Sequence, residues 1–131
     1  MMTRVAVFID YQNMYHGARR AFADLKVLSP IFGHVHPVAL GRLLTGLGRS
    51  ADPNRKLVAT TVYRSQPGRR SPRKLAVTTA RQIARWHQHP SFTVKTLPLR
   101  YQKPETPGER WRAEEKGIDV MLALDLVLGA H

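Results

Sequence analysis

The sequence predicts a single α/β domain built on a central parallel sheet. Three observations carry that reading: the unalternated apolar run Val5 to Ile9, two further strand-like runs at 56–63 and 92–97, and helical patterns lying between and after them. Short strands alternating with helices imply crossover connections, which make neighbouring strands parallel. A chain of 131 residues supplies one core and not two, so the domain is expected to span 1–131.

Val5 to Ile9 contains three β-branched residues and reads as a strand buried on both faces. It ends on Asp10. From 12 to 23, Met14, Ala18, Ala21 and Phe22 recur near helical spacing, and 28–38, with Pro30, Gly33 and Pro37, reads as a loop. Pro37 then opens a second helix through Val38, Leu40, Leu43, Leu44 and Leu47, with proline at its favoured first position. A turn at 50–54 leads to the second strand, 56–63. Residues 64–72, rich in arginine, glycine, proline and serine, read as a loop. The next helix, 72–88, divides into an apolar side with Leu75, Thr79, Ile83 and Trp86 and a charged side with Lys74, Arg81 and Arg85. A third strand covers 92–97. Residues 98–111 read as an exposed ribbon or loop whose Tyr101 and Trp111 either stack on bases or anchor the segment to the core. An apolar helix, 117–130, closes the chain and carries Asp119 and Asp125.

Composition limits the function. There is no cysteine, which excludes disulfides, thiolate-zinc sites and thiol catalysis and fits a cytoplasmic location. No apolar run approaches the roughly 18 residues of a membrane span, so no membrane partner is expected. Lys and Arg number 21 against 9 Asp and Glu, a net charge of +12. From Pro53 through Pro104 there is no acid at all, while twelve cations fall there. A field of one sign over half a domain attracts a polyanion, and nucleic acid is the commonest.

The acids are as informative as the bases. Asp10 leaves the carboxyl end of a strand, the edge where ligands collect in open α/β sheets, and Asn13 follows near the start of a helix. The pair reads either as half of a metal or phosphate site or as ordinary helix capping. Asp119 stands where the last helix begins. Asp125 lies among leucines, where an unpaired carboxylate is costly. Six residues on a regular helix amount to about 600°, so the two acids point roughly 120° apart. Asp119 is therefore the expected ligand and Asp125 its support.

Val-Phe-Ile-Asp-Tyr-Gln-Asn-Met-Tyr at 7–15 and Lys-Gly-Ile-Asp-Val-Met-Leu-Ala-Leu-Asp-Leu at 116–126 together resemble the NYN domain, a branch of the PIN-like nuclease superfamily. The resemblance implies a PIN-like three-layer sandwich and a divalent-metal ribonuclease using Mg²⁺ or Mn²⁺. Asp10 and Asp119 match its metal-binding acids, while Asn13, Lys116 and Asp125 match its neighbouring polar positions. Arg64, Arg69, Arg70, Arg73, Lys74, Arg81 and Arg85 are the candidate RNA contacts.

The chain departs from the family pattern by stopping at His131, before the strand that normally carries a Ser-Gly-Asp-x-Asp type motif. The expectation is a domain incomplete at its C-terminus, with Val5 to Ile9 as an uncovered sheet edge. Three explanations stand: a fragment, a homodimer covering that edge, or a degenerate domain that binds RNA without cutting it. A nucleotide-binding regulatory domain is a further alternative. Gly46-Leu-Gly48 lacks the third glycine of a dinucleotide fingerprint, and the pairs His34/His36 and His87/His89, which could hold zinc or copper, lack cysteine partners.

Overall fold

The computed structural model describes residues 1–22 and 33–129. Five strands and four helices follow one another as β1 (Thr3–Asp10), α1 (Tyr11–Phe22), α2 (Pro37–Leu47), β2 (Arg55–Gln66), α3 (Arg73–His87), β3 (Phe92–Pro98), β4 (Arg100–Gln102), β5 (Arg112–Glu114) and α4 (Ile118–Gly129). A short 3₁₀ turn, Gly48–Ser50, ends α2. Of the expected loop at 28–38, residues 28–32 lie outside the described residues, and 37–38 already belong to α2.

β1, β2 and β3 form a parallel sheet in that order, with Asp10 level with Tyr63 and Tyr63 level with Lys95. Successive side chains leave a strand on opposite faces, so adjacent Val62 and Tyr63 belong to different layers. Ile9, Val62 and Phe92 join Tyr11, Val38 and Trp86 in the core on the face covered by α1, α2 and α3. Phe8, Tyr63 and Lys95 look the other way. There Phe8 and Tyr63 stack with ring centroids 6.4 Å apart, and α4 lies across them. The result is the helix, sheet, helix sandwich of an α/β domain, with three helices on one face and a single helix on the other.

Several local expectations are corrected. β1 stands at the sheet edge, as expected, but only Ile9 in the run from Val5 to Ile9 is buried, so the strand lacks the two-sided burial expected from its composition. β2 continues to Gln66, because Pro67 and Gly68, rather than Arg64, break it. The ribbon or loop expected at 98–111 holds β4, which pairs with β5 just beyond it as an antiparallel hairpin. On α3, Thr79 and Trp86 are buried as expected, while Leu75 near its start is exposed.

Candidate functional site

All three sheet strands end at one edge, and the two acidic motifs meet there. A cleft of about 400 Å³ is lined by Asp10, Gln12, Asn13, Glu115, Lys116, Gly117, Ile118 and Asp119. The first three come from the junction of β1 and α1. The other five come from the turn that enters α4.

Asp10 is held at both oxygens by one residue. Its Oδ1 accepts the backbone N–H of Asn13 at 3.1 Å, and its Oδ2 accepts the Asn13 side-chain amide at 2.9 Å. The first bond is an N-cap of α1. Capping and site formation are thus not alternatives here: the cap fixes the carboxylate's orientation while each oxygen keeps a lone pair toward the cleft.

Gly117 sets the other wall. Its φ of +87° lies in the left-handed region, which a side chain resists, and it turns the chain so that Lys116 and Glu115 precede the helix on the cleft side. Asp119 follows in the first turn of α4, where the helix dipole favours a negative charge. Glu115 accepts the backbone N–H of Ser65 through Oε2 at 3.3 Å, tying this turn to the end of β2. Glu115 was not among the residues selected from sequence. Its signal was present: it immediately precedes the Lys-Gly-x-Asp motif, and the glycine turn carries it into the cleft.

Asp125 lies elsewhere. Its Oδ2 accepts the Tyr63 hydroxyl at 2.7 Å and the Lys95 ammonium at 2.6 Å, on the sheet face beneath α4. The bond from Lys95, followed by that from Tyr63, holds the carboxyl below its usual range. Burial first, then the adjacent carboxylate, pushes the Tyr63 hydroxyl up, so it remains a donor. This triad fastens α4 to the sheet and does not line the cleft.

The cations divide in the same way. Arg69 and Arg70 are exposed in the loop after β2, and Arg73 and Lys74 open α3, all beside the carboxyl edge. The Arg70 guanidinium sits 3.6 Å from the centroid of the Trp111 ring, joining loop and hairpin. Tyr101 anchors the same loop, its hydroxyl accepting Gly68 N–H at 2.9 Å and pairing with the Ser71 hydroxyl. Arg81 and Arg85 are exposed farther along α3, up to about 18 Å from its start at 1.5 Å per residue. Arg64 points into the helix-covered face. It stacks over Tyr11 and Trp86, at 4.5 and 5.4 Å, and donates to Gln82 Oε1 at 2.7 Å. Gln82 in turn donates to the Tyr11 hydroxyl at 3.0 Å, and Tyr11 bonds His34.

The sequence model of the NYN domain matches residues 4–131, essentially the whole chain. The chain belongs to the NYN domain family. No curated protein and no solved structure matches it. The parallel sheet flanked by helices is consistent with the PIN-like, nuclease-type fold of that family. Among the described residues of this NYN domain, no three His, Asp or Glu side chains converge as a ready-made metal cage. The donor set nevertheless suits Mg²⁺ or Mn²⁺. Such hard cations take oxygen ligands, and Mg²⁺ is usually held by one or two carboxylates with water and substrate phosphate completing its shell. Asp10 and Asp119, exposed to one cleft, meet that minimum. No helix among the described residues is long and apolar enough to cross a membrane.

Proposed function

We propose that this NYN domain is a divalent-metal-dependent ribonuclease that hydrolyses RNA phosphodiesters at the Asp10/Asp119 cleft. The observation that carries the reading is the convergence of the two motifs: Asp10 with Asn13, and Asp119 with Lys116, line one cleft although they come from opposite ends of the chain. A bound Mg²⁺ or Mn²⁺ supplies charge neutralisation at the phosphate and an activated water.

This chain's own residues do the rest. Asn13 fixes the Asp10 carboxylate so that its free lone pairs face the cleft. Lys116 offers a point charge to a scissile phosphate. Arg69, Arg70, Arg73 and Lys74 hold the flanking RNA backbone at the same edge, and the exposed cations of α3 extend that track. Arg64, engaged inside, orders the end of β2 and acts on RNA only through the loop that follows.

The experiment is cleavage of a labelled single-stranded RNA with Mn²⁺, with Mg²⁺ and with chelator, in the wild type and in Asp119→Asn. Metal-dependent cleavage lost in the variant supports the reading. A second reading is favoured by one observation, the lack of a third converging acid among the described residues: a non-catalytic RNA-binding module. Salt-sensitive RNA binding without cleavage under any metal would establish that one instead. As partner we further propose a second copy of the chain, seated on the free edge of β1 and the apolar outer face of α4. Val120, Leu124, Val127 and Leu128 are each more than half exposed there. The Lys95 nearby is already paired with Asp125, so this is a surface on which two strongly cationic copies meet with little repulsion.

A further inference from the structure

The cleft and its basic loop use the carboxyl edge of the sheet, but the opposite edge carries a second cavity. It measures about 240 Å³ and is lined in part by Arg42 of α2, Arg49 of the 3₁₀ turn, Lys56 and Thr60 of β2, and Ser91 before β3. No acid lines it. Its three cations come from three different elements, so their convergence is a product of the fold rather than of a run in the sequence.

A fourth cation stands behind them. Arg49 donates through Nε to the Arg55 carbonyl at 3.3 Å. The Arg55 guanidinium lies across Gly48, where a Cβ would fall 2.0 Å from Nη1, so the glycine makes room for it. Arg55 Nε is buried without a hydrogen-bond partner. The nearest acid, Asp52, is otherwise engaged: its carboxyl is held below the usual range first by Thr3 and then by the Asn54 N–H, with Arg55 a smaller influence. Among the described residues the one ion pair is Lys95 with Asp125, so none of these four cations has a carboxylate partner.

Converging like charges raise the free energy of the folded chain, and unpaired guanidinium donors add to that cost. A phosphate group in the cavity relieves the first. It carries the opposite charge and offers several acceptor oxygens to the planar forks of arginine. We propose that this cavity is a phosphate-binding subsite, separate from the carboxylate cleft, taking a phosphate of an RNA backbone or of a mononucleotide. Between Lys56 and Tyr63, which is level with Asp10, β2 advances roughly 23 Å at 3.3 Å per residue. The two sites are therefore on opposite edges of the domain, and this one requires neither metal nor cleavage.

The test is a titration of the wild-type chain with inorganic phosphate, followed by amide chemical shifts, with ionic strength held constant by chloride. Saturable shifts centred on Arg42, Lys56 and Ser91, weakened at least tenfold in Arg42→Gln/Lys56→Gln, are expected. Both side chains are exposed, and unchanged shifts for Val62 and Trp86 would show that the variant remains folded. Two arms identify the source. If it is an RNA backbone, the variant lowers the slope of log affinity for single-stranded RNA against log salt by about 1.4, two contacts at roughly 0.7 each. If it is a mononucleotide, the slope is unchanged and guanosine monophosphate displaces inorganic phosphate from the same amides. Shifts that grow linearly and spread over the whole cationic surface, or a variant that binds phosphate as tightly as the wild type, would overturn the proposal. None of these readouts depends on the ribonuclease assignment.

Discussion

At the residue scale, Asp10 shows how one side chain serves both the fold and the site. Its carboxylate caps α1 through the Asn13 N–H and is clamped by the Asn13 amide. Asp10→Asn keeps a capping oxygen but removes the charge, so helix stability should change by a few tenths of a kcal/mol at most. Metal-dependent cleavage should fall to background while RNA affinity stays equal or rises, because a negative charge has left the cleft. Weaker RNA binding with intact cleavage would contradict the assignment.

His34 makes a second prediction at this scale. It faces Tyr11, Tyr15, Gln82 and Arg64, and burial, followed by the Arg64 charge, holds its pKa below the ordinary 6.5. A base with a depressed folded pKa is neutral in the fold and takes up its proton more readily when unfolded. Its contribution is therefore present above 6.5 and lost as pH falls through the folded value. Melting temperature should drop more steeply below pH 6.5 in the wild type than in His34→Gln, and parallel curves would contradict this.

At the element scale, α4 is fastened by a few polar bonds rather than by a deep apolar seam. Its pattern is apolar almost all round, and the sequence read it correctly as a helix. What the sequence did not disclose is that much of this apolar surface stays exposed, because among the described residues no second helix covers that face of the sheet. Tyr63→Phe removes a hydrogen bond to a charged group and should lower the midpoint of denaturant unfolding. A loss within experimental error would mean that Lys95 alone secures Asp125.

The other elements were legible in proportion to their length and side-chain pattern. Proline at the start of α2 and the two faces of α3 announced those helices. β4 and β5 were missed because three residues are too few to show a period, and their pairing is not encoded locally. Arg64 reads as a loop residue because a charged side chain near glycine and proline resembles one. Its place within β2 depends on the Tyr11 and Trp86 rings that receive it, which no local pattern reveals. For the charged face of α3, replacing Arg81 and Arg85 by glutamine together should flatten the salt dependence of RNA binding by about 1.4 in slope. An unchanged slope would make that face solvated surface only.

At the scale of the whole molecule, charge and apolar surface are segregated. The carboxyl edge combines a small acidic cleft with a basic rim, the opposite edge carries a cavity lined by three cations, and the outer face of α4 is largely apolar. The sequence disclosed the charge imbalance but not this partition, since Arg42, Arg49 and Lys56 meet only when α2, the 3₁₀ turn and the start of β2 pack around one cavity. The proposed second copy on the α4 face predicts a mass in solution that rises with concentration in analytical ultracentrifugation. Leu124→Glu should hold the chain monomeric; a wild type that is monomeric at every concentration would remove that partner.

The most direct test of the central claim is calorimetric titration of Mn²⁺ into the wild-type chain, Asp10→Asn and Asp119→Asn. With Asp10 and Asp119 as the ligands and Glu115 engaged by the Ser65 N–H, a single weak site is expected in the wild type, strengthened by single-stranded RNA and lost in both variants. Mn²⁺ binding that survives Asp10→Asn and Asp119→Asn, or no binding even with RNA present, would contradict a metal-dependent cleft between the two motifs.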